Sequence, residues 1–246
     1  MQRKYITMFS IFIVFISVFY FGYKSYADKG RHYYEEAGQV VWDIQTSEKV
    51  VAITFDDGPD QKYTTDILDL LAQYEAKATF FIVGQYAEKY PEVVLRQYGE
   101  GHEIANHTYT HTRSQSVQRI EEELKKTNET IYSITGFRPT LFRPVGGQYT
   151  DAMINTVVKN GYTVVMWSWH QDTEDWKNPG VSKIVDKVLK GTKPGDVILF
   201  HDAGGDRSQT VKALEEILPA LKNQGYEFIT ISELIERKKG SISKVS

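Results

Sequence analysis

Cysteine is absent from this 246-residue sequence. The absence excludes a disulfide framework, a catalytic thiol and a thiolate metal site, because each of these needs a Cys side chain. A metal ion bound by this chain would have to be held by the nitrogen atoms of histidine and the oxygen atoms of carboxylates.

An excess of positive charge is also absent. The sequence has 29 Lys and Arg residues against 32 Asp and Glu residues, which gives a formal net charge of -3 at pH 7. Because this balance offers no basic field to hold a phosphate backbone, we expect no nucleic-acid partner. The content of hydrophobic residues, 41%, is typical of a globular protein, and the length fits one sizeable domain with a leader. We expect that domain to be a monomer.

One long hydrophobic run stands out, and it lies at the N-terminus. Residues Ile6 to Tyr23 are nearly all apolar and follow Arg3 and Lys4. A run of this length is near the minimum for a membrane-spanning helix, and the positive start indicates that the rest of the chain is exported. Ser25 and Ala27 provide the small residues that a signal peptidase reads, so a cleaved signal peptide and an uncleaved anchor both remain open.

The sequence therefore divides into three predicted parts. Residues 1–27 form the signal peptide or membrane anchor, residues 28–47 a polar linker without clear periodicity, and residues 48–246 the catalytic domain. We expect this domain to act outside the cytoplasm, membrane-anchored or secreted, in association with the cell wall.

Within the predicted domain, short apolar runs alternate with helix-like stretches. The apolar runs, which are typical of buried strands, are Val50 to Phe55, Ala78 to Val83, His102 to Ala105, Thr140 to Arg143, Thr163 to Trp167, Asp196 to Phe200 and Glu227 to Ile231. The helix-like stretches are Thr64 to Tyr74, Pro91 to Tyr98, Ser116 to Ile134, Asp151 to Lys159, Ser182 to Leu189 and Thr210 to Asn223. This alternation predicts parallel βα units that close, fully or partly, into a barrel. In such a barrel the chemistry lies at the carboxyl ends of the strands.

Two adjacent carboxylates, Asp56 and Asp57, follow the first predicted strand in the sequence TFDDGP. Placing two negative charges directly after a strand of Val, Ile and Phe is costly unless they bind a cation or share a catalytic task. Because Asp, Gly and Pro are also turn residues, a solvated turn is the alternative.

Two histidines, His107 and His111, lie four residues apart after the third predicted strand. One helical turn would point both imidazoles the same way, and we expect Asn106 to support that turn. Two histidines and Asp57 would form a suitable zinc set, which leaves a coordination position open for water and substrate as catalytic zinc sites do. Without the carboxylate, the two histidines would be equally typical of an exposed surface. The charged stretch from Glu121 to Lys126 is typical of a solvated helix face.

Three further predicted strands end at, or are followed by, side chains that could take part in catalysis. His201 closes the sixth strand, where it can deliver a proton, and the alternative is a loop histidine hydrogen-bonded to Asp202. Arg143 ends the fourth strand, where a fixed cation can orient a carboxylate. Asp175 and Trp176 follow the fifth strand, and their alternatives are a solvated loop acid and a packed aromatic ring.

These segments together resemble the five ordered motifs of the polysaccharide deacetylases of carbohydrate esterase family 4, which share the NodB homology domain. The matching segments are TFDDGP at 54, HTYTH at 107, RP at 143, DTEDW at 172 and LFH at 199. The resemblance spans roughly residues 48–236. It implies an α/β fold, a NodB-like distorted (β/α)7-type barrel, with one divalent metal, zinc in most members and with cobalt or manganese as alternatives.

The resemblance also implies which residues bind the metal and which transfer protons. Asp57, His107 and His111 would be the metal ligands. Asp56 would be the general base that activates water, and His201 the general acid that protonates the leaving group.

Five supporting residues follow from the same resemblance. Arg143 would orient the base, and Asp175 would hold the acid and raise its pKa. Trp176 and Leu199 would line a pocket for the acetyl methyl group, and Gly146 would offer a backbone N–H to the oxyanion. Many members of the family continue the third motif as RPPYG, whereas this chain reads RPVGG, with Gly146 at the usual tyrosine position. This departure changes the substrate cleft more than the catalysis.

The implied reaction is metal-dependent hydrolysis of N-acetyl groups from an N-acetylated amino-sugar polysaccharide, such as peptidoglycan or chitin, with release of acetate. Two other functions remain open. One is an esterase that removes O-acetyl groups from xylan. The other is an inactive module that binds the cell wall, which is disfavoured because the predicted ligands, base and acid are all present.

Overall fold

The structure is a computed structural model that describes residues 29–114 and 116–243. The predicted signal peptide or membrane anchor, residues 1–27, lies outside the described residues. Within the described ranges, no helix is both long enough and apolar enough to cross a bilayer.

The described residues form an eight-stranded sheet in which every ladder is parallel. Its strands are β1 Val40–Val41, β2 Val50–Asp56, β3 Ala78–Ile82, β4 Glu103–Asn106, β5 Leu141–Phe142, β6 Thr163–Val165, β7 Val197–His201 and β8 Glu227–Phe228. The order is β1-β6-β5-β4-β3-β2-β7, with β8 paired to β2. The seven predicted strands correspond to β2 through β8.

Helices surround this sheet. They are α1 Arg31–Glu36, α2 Tyr63–Gln73, α3 Gly84–Lys89, α4 Pro91–Gly99, α5 Val117–Thr135, α6 Asp151–Lys159, α7 Val181–Gly191, α8 Ser208–Asn223 and α9 Ile231–Ser243, with short 3-10 turns at Val145–Gly147, Trp169–Gln171 and Asp175–Lys177. The six predicted helices correspond to α2 and to α4 through α8. Helices on the outside explain why the strands read as continuous apolar runs, since both faces of each strand are covered.

Strand β2 pairs with three other strands, β3, β7 and β8, and all of its residues are buried. The ring of Phe55 stacks between Phe80 of β3 and Phe200 of β7, with ring centroids 5.0 and 5.8 Å away. The register that aligns these rings also places Asp56 opposite His201 on the neighbouring strand. The packing of the core therefore fixes which two polar residues meet at the carboxyl end of the sheet.

The barrel is completed by a segment that runs beside the edge strand β7. We call residues 168–175 the seam. Its contacts with β7 are a hydrogen bond from the Ser168 N–H to the Val197 carbonyl at 3.0 Å, an isolated bridge between Asp172 and Leu199, and side-chain hydrogen bonds. The sheet is thus curled into a barrel that no continuous ladder of hydrogen bonds closes beside β7. This confirms the predicted distorted barrel.

The prediction of a polar linker over residues 28–47 is wrong for most of its length. This segment contains α1 and β1, and β1 pairs with β6. Tyr34, Val40 and Trp42 are fully or almost fully buried, and the Tyr34 hydroxyl donates a hydrogen bond to Asp151. A two-residue strand and a six-residue helix are too short to show a period in the sequence, and their polar residues masked the few that enter the core.

Candidate active site

The carboxyl ends of β2, β4, β5 and β7 meet around one cavity of about 300 Å³. Its lining residues are Asp56, Asp57, His107, His111, Arg113, Val145, Gly146, Trp167, Asp172, Trp176, Leu199, His201, Gly204 and Arg207. The predicted site residues all belong to this lining except Arg143 and Asp175, which are buried and contact lining residues from behind. The structure therefore brings together residues that lie far apart along the chain.

Three side chains form a cluster suited to a metal ion. Ligand atoms of Asp57, His107 and His111 all lie within 4.8 Å of one another. The Asp57 Oδ1 atom lies 2.9 Å from His111 Nε2 and 3.5 Å from His107 Nε2. Burial on its own would raise the pKa of Asp57, but the contacts with His107 and His111 and the positive charge of His201 hold that pKa well below its usual range. Two imidazoles and one carboxylate match the ligands of a catalytic divalent metal site.

The tautomer of His107 supports this interpretation. Its Nδ1 atom lies 2.8 Å from the backbone carbonyl oxygen of Arg143. Because a carbonyl only accepts hydrogen bonds, Nδ1 of the neutral ring carries the hydrogen, and Nε2 presents its lone pair to the cluster. Histidines that bind metals are held in the same way by a carbonyl or carboxylate on the other ring nitrogen.

The expected helical turn between His107 and His111 is wrong. The intervening backbone is a loop in which Thr108 and His111 have φ values of 69° and 57°. Asn106 supports this loop as expected, because its Oδ1 atom accepts the Thr108 N–H at 2.9 Å. The two imidazoles thus converge through left-handed backbone positions, with their ring centroids 5.3 Å apart.

Glu123 of α5 fixes the same loop through hydrogen bonds to its backbone. Its carboxylate accepts the backbone N–H groups of Tyr109 at 2.7 Å and Thr110 at 2.6 Å. The side chain is 3% exposed and pairs with Arg119 at 2.6 Å. The prediction of a solvated helix face is therefore wrong at this residue, because a carboxylate that accepts buried backbone donors compensates for its own burial.

A buried arginine holds Asp56. The Arg143 side chain is fully buried, and its Nη1 atom lies 2.7 Å from Asp56 Oδ1 and 2.9 Å from the Thr54 hydroxyl oxygen. The other guanidinium nitrogens donate to the backbone carbonyls of Val165 and Met166. Burial lowers the pKa of Arg143, and the charge of Asp56 opposes that change. With one oxygen held by the guanidinium, the other oxygen of Asp56 is available to the cavity.

A buried carboxylate holds His201. The Asp175 Oδ1 atom lies 2.7 Å from His201 Nδ1, while Oδ2 accepts the His201 backbone N–H at 2.9 Å and the Thr210 hydroxyl at 2.7 Å. Burial alone would lower the pKa of His201, but the Asp175 hydrogen bond and nearby carboxylate charges raise it to about 9. His201 is therefore an imidazolium at neutral pH, and Nε2 is its second donor.

The hydrogen-bond partner of the His201 ring is Asp175 and not the neighbouring Asp202. The Asp202 carboxylate accepts the Thr64 hydroxyl at 2.6 Å and is fully buried. Burial raises the pKa of Asp202 to about 7, with the charge of Asp57 adding to the effect. The alternative of a loop histidine bonded to Asp202 is thus wrong.

Sequence reasoning missed several residues of the cavity. Arg113, Trp167, Gly204 and Arg207 line it without belonging to the motifs. Arg207 is 4% exposed and donates to the carbonyls of Ala203 and Gly204, so it fixes the loop that follows β7. The only sequence signal for these residues is their closeness to a motif, such as the position of Arg113 two residues after His111.

A tight contact explains one glycine of the third motif. Gly147 has a φ of 67°, and a Cβ atom there would lie 2.7 Å from the Trp167 ring and 3.0 Å from the Met166 methyl carbon. Both the backbone conformation and the available space therefore require glycine. Gly146 beside it has a φ of 63° and faces the cavity.

Fold and site together define a class of protein. A parallel barrel whose rim carries a cluster suited to a metal ion, a carboxylate fixed by arginine and an imidazolium fixed by a second carboxylate has the arrangement of a metal-dependent hydrolase. The family model described as polysaccharide deacetylase matches residues 43–165, and the chain belongs to that family. The family expected from the motifs is confirmed.

Similar proteins support the assignment over most of the chain. A peptidoglycan-N-acetylglucosamine deacetylase of Bacillus cereus is 48% identical over 206 residues, covering 83% of this chain and 96% of that protein. A chitooligosaccharide deacetylase of Bradyrhizobium is 37% identical, covering 75% of this chain and 90% of that protein. The crystal structure of a peptidoglycan N-acetylglucosamine deacetylase in complex with 4-naphthalen-1-yl-N-oxidanyl-benzamide matches with a TM-score of 0.80 and 35% identity, covering 84% of this chain and 97% of that chain.

Proposed function

We propose that this protein removes the acetyl group from N-acetylglucosamine units of peptidoglycan, releasing acetate and leaving free amines on the glycan. The observation that carries the proposal is the pairing of Asp56 with Arg143 and of His201 with Asp175 at one cavity that also holds the metal-binding cluster. The high identity to a peptidoglycan-N-acetylglucosamine deacetylase over nearly its whole length supports the choice of polymer.

Asp57, His107 and His111 are the residues that would hold the metal. We infer zinc, with cobalt and manganese as alternatives, because nitrogen and carboxylate ligands accept several first-row ions. A bound ion of this kind supplies Lewis-acid polarisation of the acetamide carbonyl and lowers the pKa of water at the site.

Asp56 is the general base of the proposed mechanism. Its Oδ1 atom is held by Arg143, so Oδ2 takes the proton from the water that attacks the acetyl carbon. Arg143 has a positioning role, because its fully buried guanidinium is fixed by Thr54 and by backbone carbonyls.

His201 is the general acid. The amide nitrogen of the substrate must be protonated before it can leave, and the imidazolium offers its Nε2 hydrogen for that step. Asp175 accepts a hydrogen bond from Nδ1 on the opposite side of the ring and thereby keeps His201 in its protonated form at neutral pH. As the proton leaves His201, the ring becomes neutral while Asp175 remains a hydrogen-bond acceptor.

Three lining residues orient the acetyl group in this proposal. Leu199 is 3% exposed and Trp176 is 49% exposed, so the first forms the floor and the second the rim of a pocket for the methyl group. The backbone N–H of Gly146 stabilises the negative charge that develops on the carbonyl oxygen.

We infer that the reaction takes place outside the cytoplasm, at the cell wall. Residues 1–27 would serve as a signal peptide or membrane anchor, since the apolar run and its positive start are typical of exported chains. Residues 48–246 would carry the catalytic function, with α1 and β1 packed onto them. The substrate would then be the polymer that surrounds the cell.

Mass spectrometry and acetate release from purified glycans test the proposed function. The purified chain should release acetate from peptidoglycan fragments and lower the mass of N-acetylglucosamine units by the difference between an acetyl group and the hydrogen that replaces it. The Asp56→Asn variant should lose about two to four orders of magnitude in rate, the range for a positioned general base. Activity on acetylxylan alone, or glycan binding with no acetate release in zinc, cobalt or manganese, would overturn the proposal.

A further inference from the structure

We propose that Arg113 binds a carboxylate of the substrate next to the sugar that is deacetylated, and thereby selects carboxylate-bearing glycans over neutral polymers of N-acetylglucosamine. This inference rests on the proposed function and adds a residue that determines specificity.

Arg113 places a cation at the rim of the catalytic cavity. Its side chain is exposed and lines the same cavity as Asp57 and His111. Across residues 29–114 and 116–243, Arg113 makes no hydrogen bond, ion pair or ring contact with another described residue. The other described arginines that do not contact carboxylates have partners of another kind, because Arg207 donates to backbone carbonyls and Arg138 stacks on Tyr132.

Gly146 keeps the space beside this cation open. A Cβ atom built at Gly146 would lie 3.8 Å from the Arg113 Nε atom and 3.9 Å from its Cζ atom. A larger side chain at this position would extend from that point beside the guanidinium, and the φ of 63° also disfavours one. The guanidinium and the backbone of Gly146 therefore border the same open part of the cavity.

A cation with no intramolecular partner among the described residues would favour an anionic substrate at this cavity. Asp56, Asp57 and Asp172 all line it, and each would repel an approaching carboxylate. Asp56 already has Arg143 as its partner, and Asp57 belongs to the metal-binding cluster. Arg113 has no such partner within the part of the chain that the structure describes, and the fork of its guanidinium matches the two oxygens of a carboxylate.

Two sources in peptidoglycan offer this carboxylate. When the stem peptide is absent, the lactyl ether of the muramic acid ends in a free carboxylate, and when it is present, the peptide itself supplies the carboxylates. A polymer of N-acetylglucosamine alone has neither. Both sources share the chemistry that a guanidinium recognises, so separate substrates are needed to distinguish them.

The test compares kcat/KM for three substrates: glycan with free lactyl carboxylates, glycan with stem peptides, and a neutral chitooligosaccharide of equal sugar length. In R113Q we expect the ratio of kcat/KM on the carboxylated substrate to that on the neutral one to fall about tenfold, which corresponds to about 1.4 kcal/mol, mainly through KM. The carboxylated substrate whose ratio falls identifies the source. R113K should retain part of the preference, because its ammonium keeps the charge without the fork.

R138Q is the matched control. It removes an equal charge from an exposed arginine that stacks on Tyr132 at 4.0 Å and does not line the cavity. Its ratio should match that of the wild type, and an equal fall in both variants would assign the effect to overall charge and overturn the inference. Unchanged ratios in R113Q, or equal losses on all three substrates, would also overturn it. If the wild type released no acetate from any substrate, the proposed function itself would fail.

Discussion

The Nδ1 atom of His107 donates its hydrogen to the backbone carbonyl of Arg143 at 2.8 Å, while the guanidinium of the same arginine contacts Asp56 at 2.7 Å. One residue, directly after β5, therefore orients both a proposed metal ligand and the proposed base. Because the two contacts use different parts of Arg143, backbone and side chain, substitution can separate them.

Substituting Arg143 with lysine should impair the base and leave the metal ligand in place. A lysine ammonium cannot reproduce the fork that contacts Asp56 and the carbonyls of Val165 and Met166. We expect kcat to fall about tenfold to a hundredfold, as expected for a displaced catalytic group. Acetate release gives kcat, and metal analysis should still find one ion per chain. An unchanged kcat, or a loss of the metal, would contradict the division of roles.

Metal binding should stabilise the folded protein through Asp57. A ligand that binds only the folded state at a hundred times its dissociation constant adds about 2.7 kcal/mol to the free energy of unfolding. We therefore expect added zinc to raise the Tm of the chelator-treated wild type and to restore its activity. In D57N both responses should disappear. D172N is the control, because Asp172 lines the same cavity outside the metal-binding cluster, and a D172N protein that also lost the Tm shift would contradict the assignment.

The pH dependence of activity should report the pair of His201 and Asp175. The general acid must be protonated, and its pKa is raised to about 9, so kcat/KM should hold at neutral pH and fall as the pH rises through that value. In D175N the hydrogen bond and charge are lost, and burial then lowers the pKa of His201. The alkaline limb of the kcat/KM profile should therefore move to lower pH. T210A keeps the carboxylate and loses one hydrogen bond to it, so its limb should move less. An alkaline limb at the same pH in D175N would rule out this role for Asp175.

The N-terminal segment should contribute to stability through Tyr34. The ring is fully buried and its hydroxyl donates to Asp151. We expect Y34F to lower the free energy of unfolding by about 1 kcal/mol for the lost hydrogen bond, and Y34A by about 3 to 5 kcal/mol for the lost ring. Urea denaturation measures both values. Y33A serves as the control because Tyr33 is 46% exposed, and equal effects at the two positions would show that α1 does not join the core.

The sequence predicted the sheet and its reactive end because both depend on local signals. Buried parallel strands such as β2 and β7 read as continuous apolar runs, and Asp56 and His201 come at the ends of these runs. Parallel topology then places those ends on one rim, so two residues far apart in the sequence become neighbours without knowledge of any contact.

Other features depend on long-range contacts that leave no local pattern. Tyr34 enters the core by packing with Ile120 of α5 and Ile154 of α6 in one hydrophobic cluster, and nothing in its own segment indicates this. Glu123 resembles its exposed neighbours in the sequence and differs from them only by accepting the N–H groups of the loop after β4. The left-handed backbone at His111 replaced the expected helical turn for the same reason, since that loop is fixed by side chains from outside it.

The seam carries a consequence for how this protein would lose activity. Residues 168–175 contact β7 by one isolated bridge and scattered hydrogen bonds, whereas β2 joins both β3 and β7 through continuous ladders. Because the seam joins β7 through fewer backbone hydrogen bonds than β2 does, we expect it to detach before the strands of the sheet separate, which would remove Asp175 from His201. On gentle heating, His201 would lose its contact with Asp175 and cease to act as the proton donor, while the aromatic stack around Phe55 remains intact. Activity would then be lost at a lower temperature than the fold.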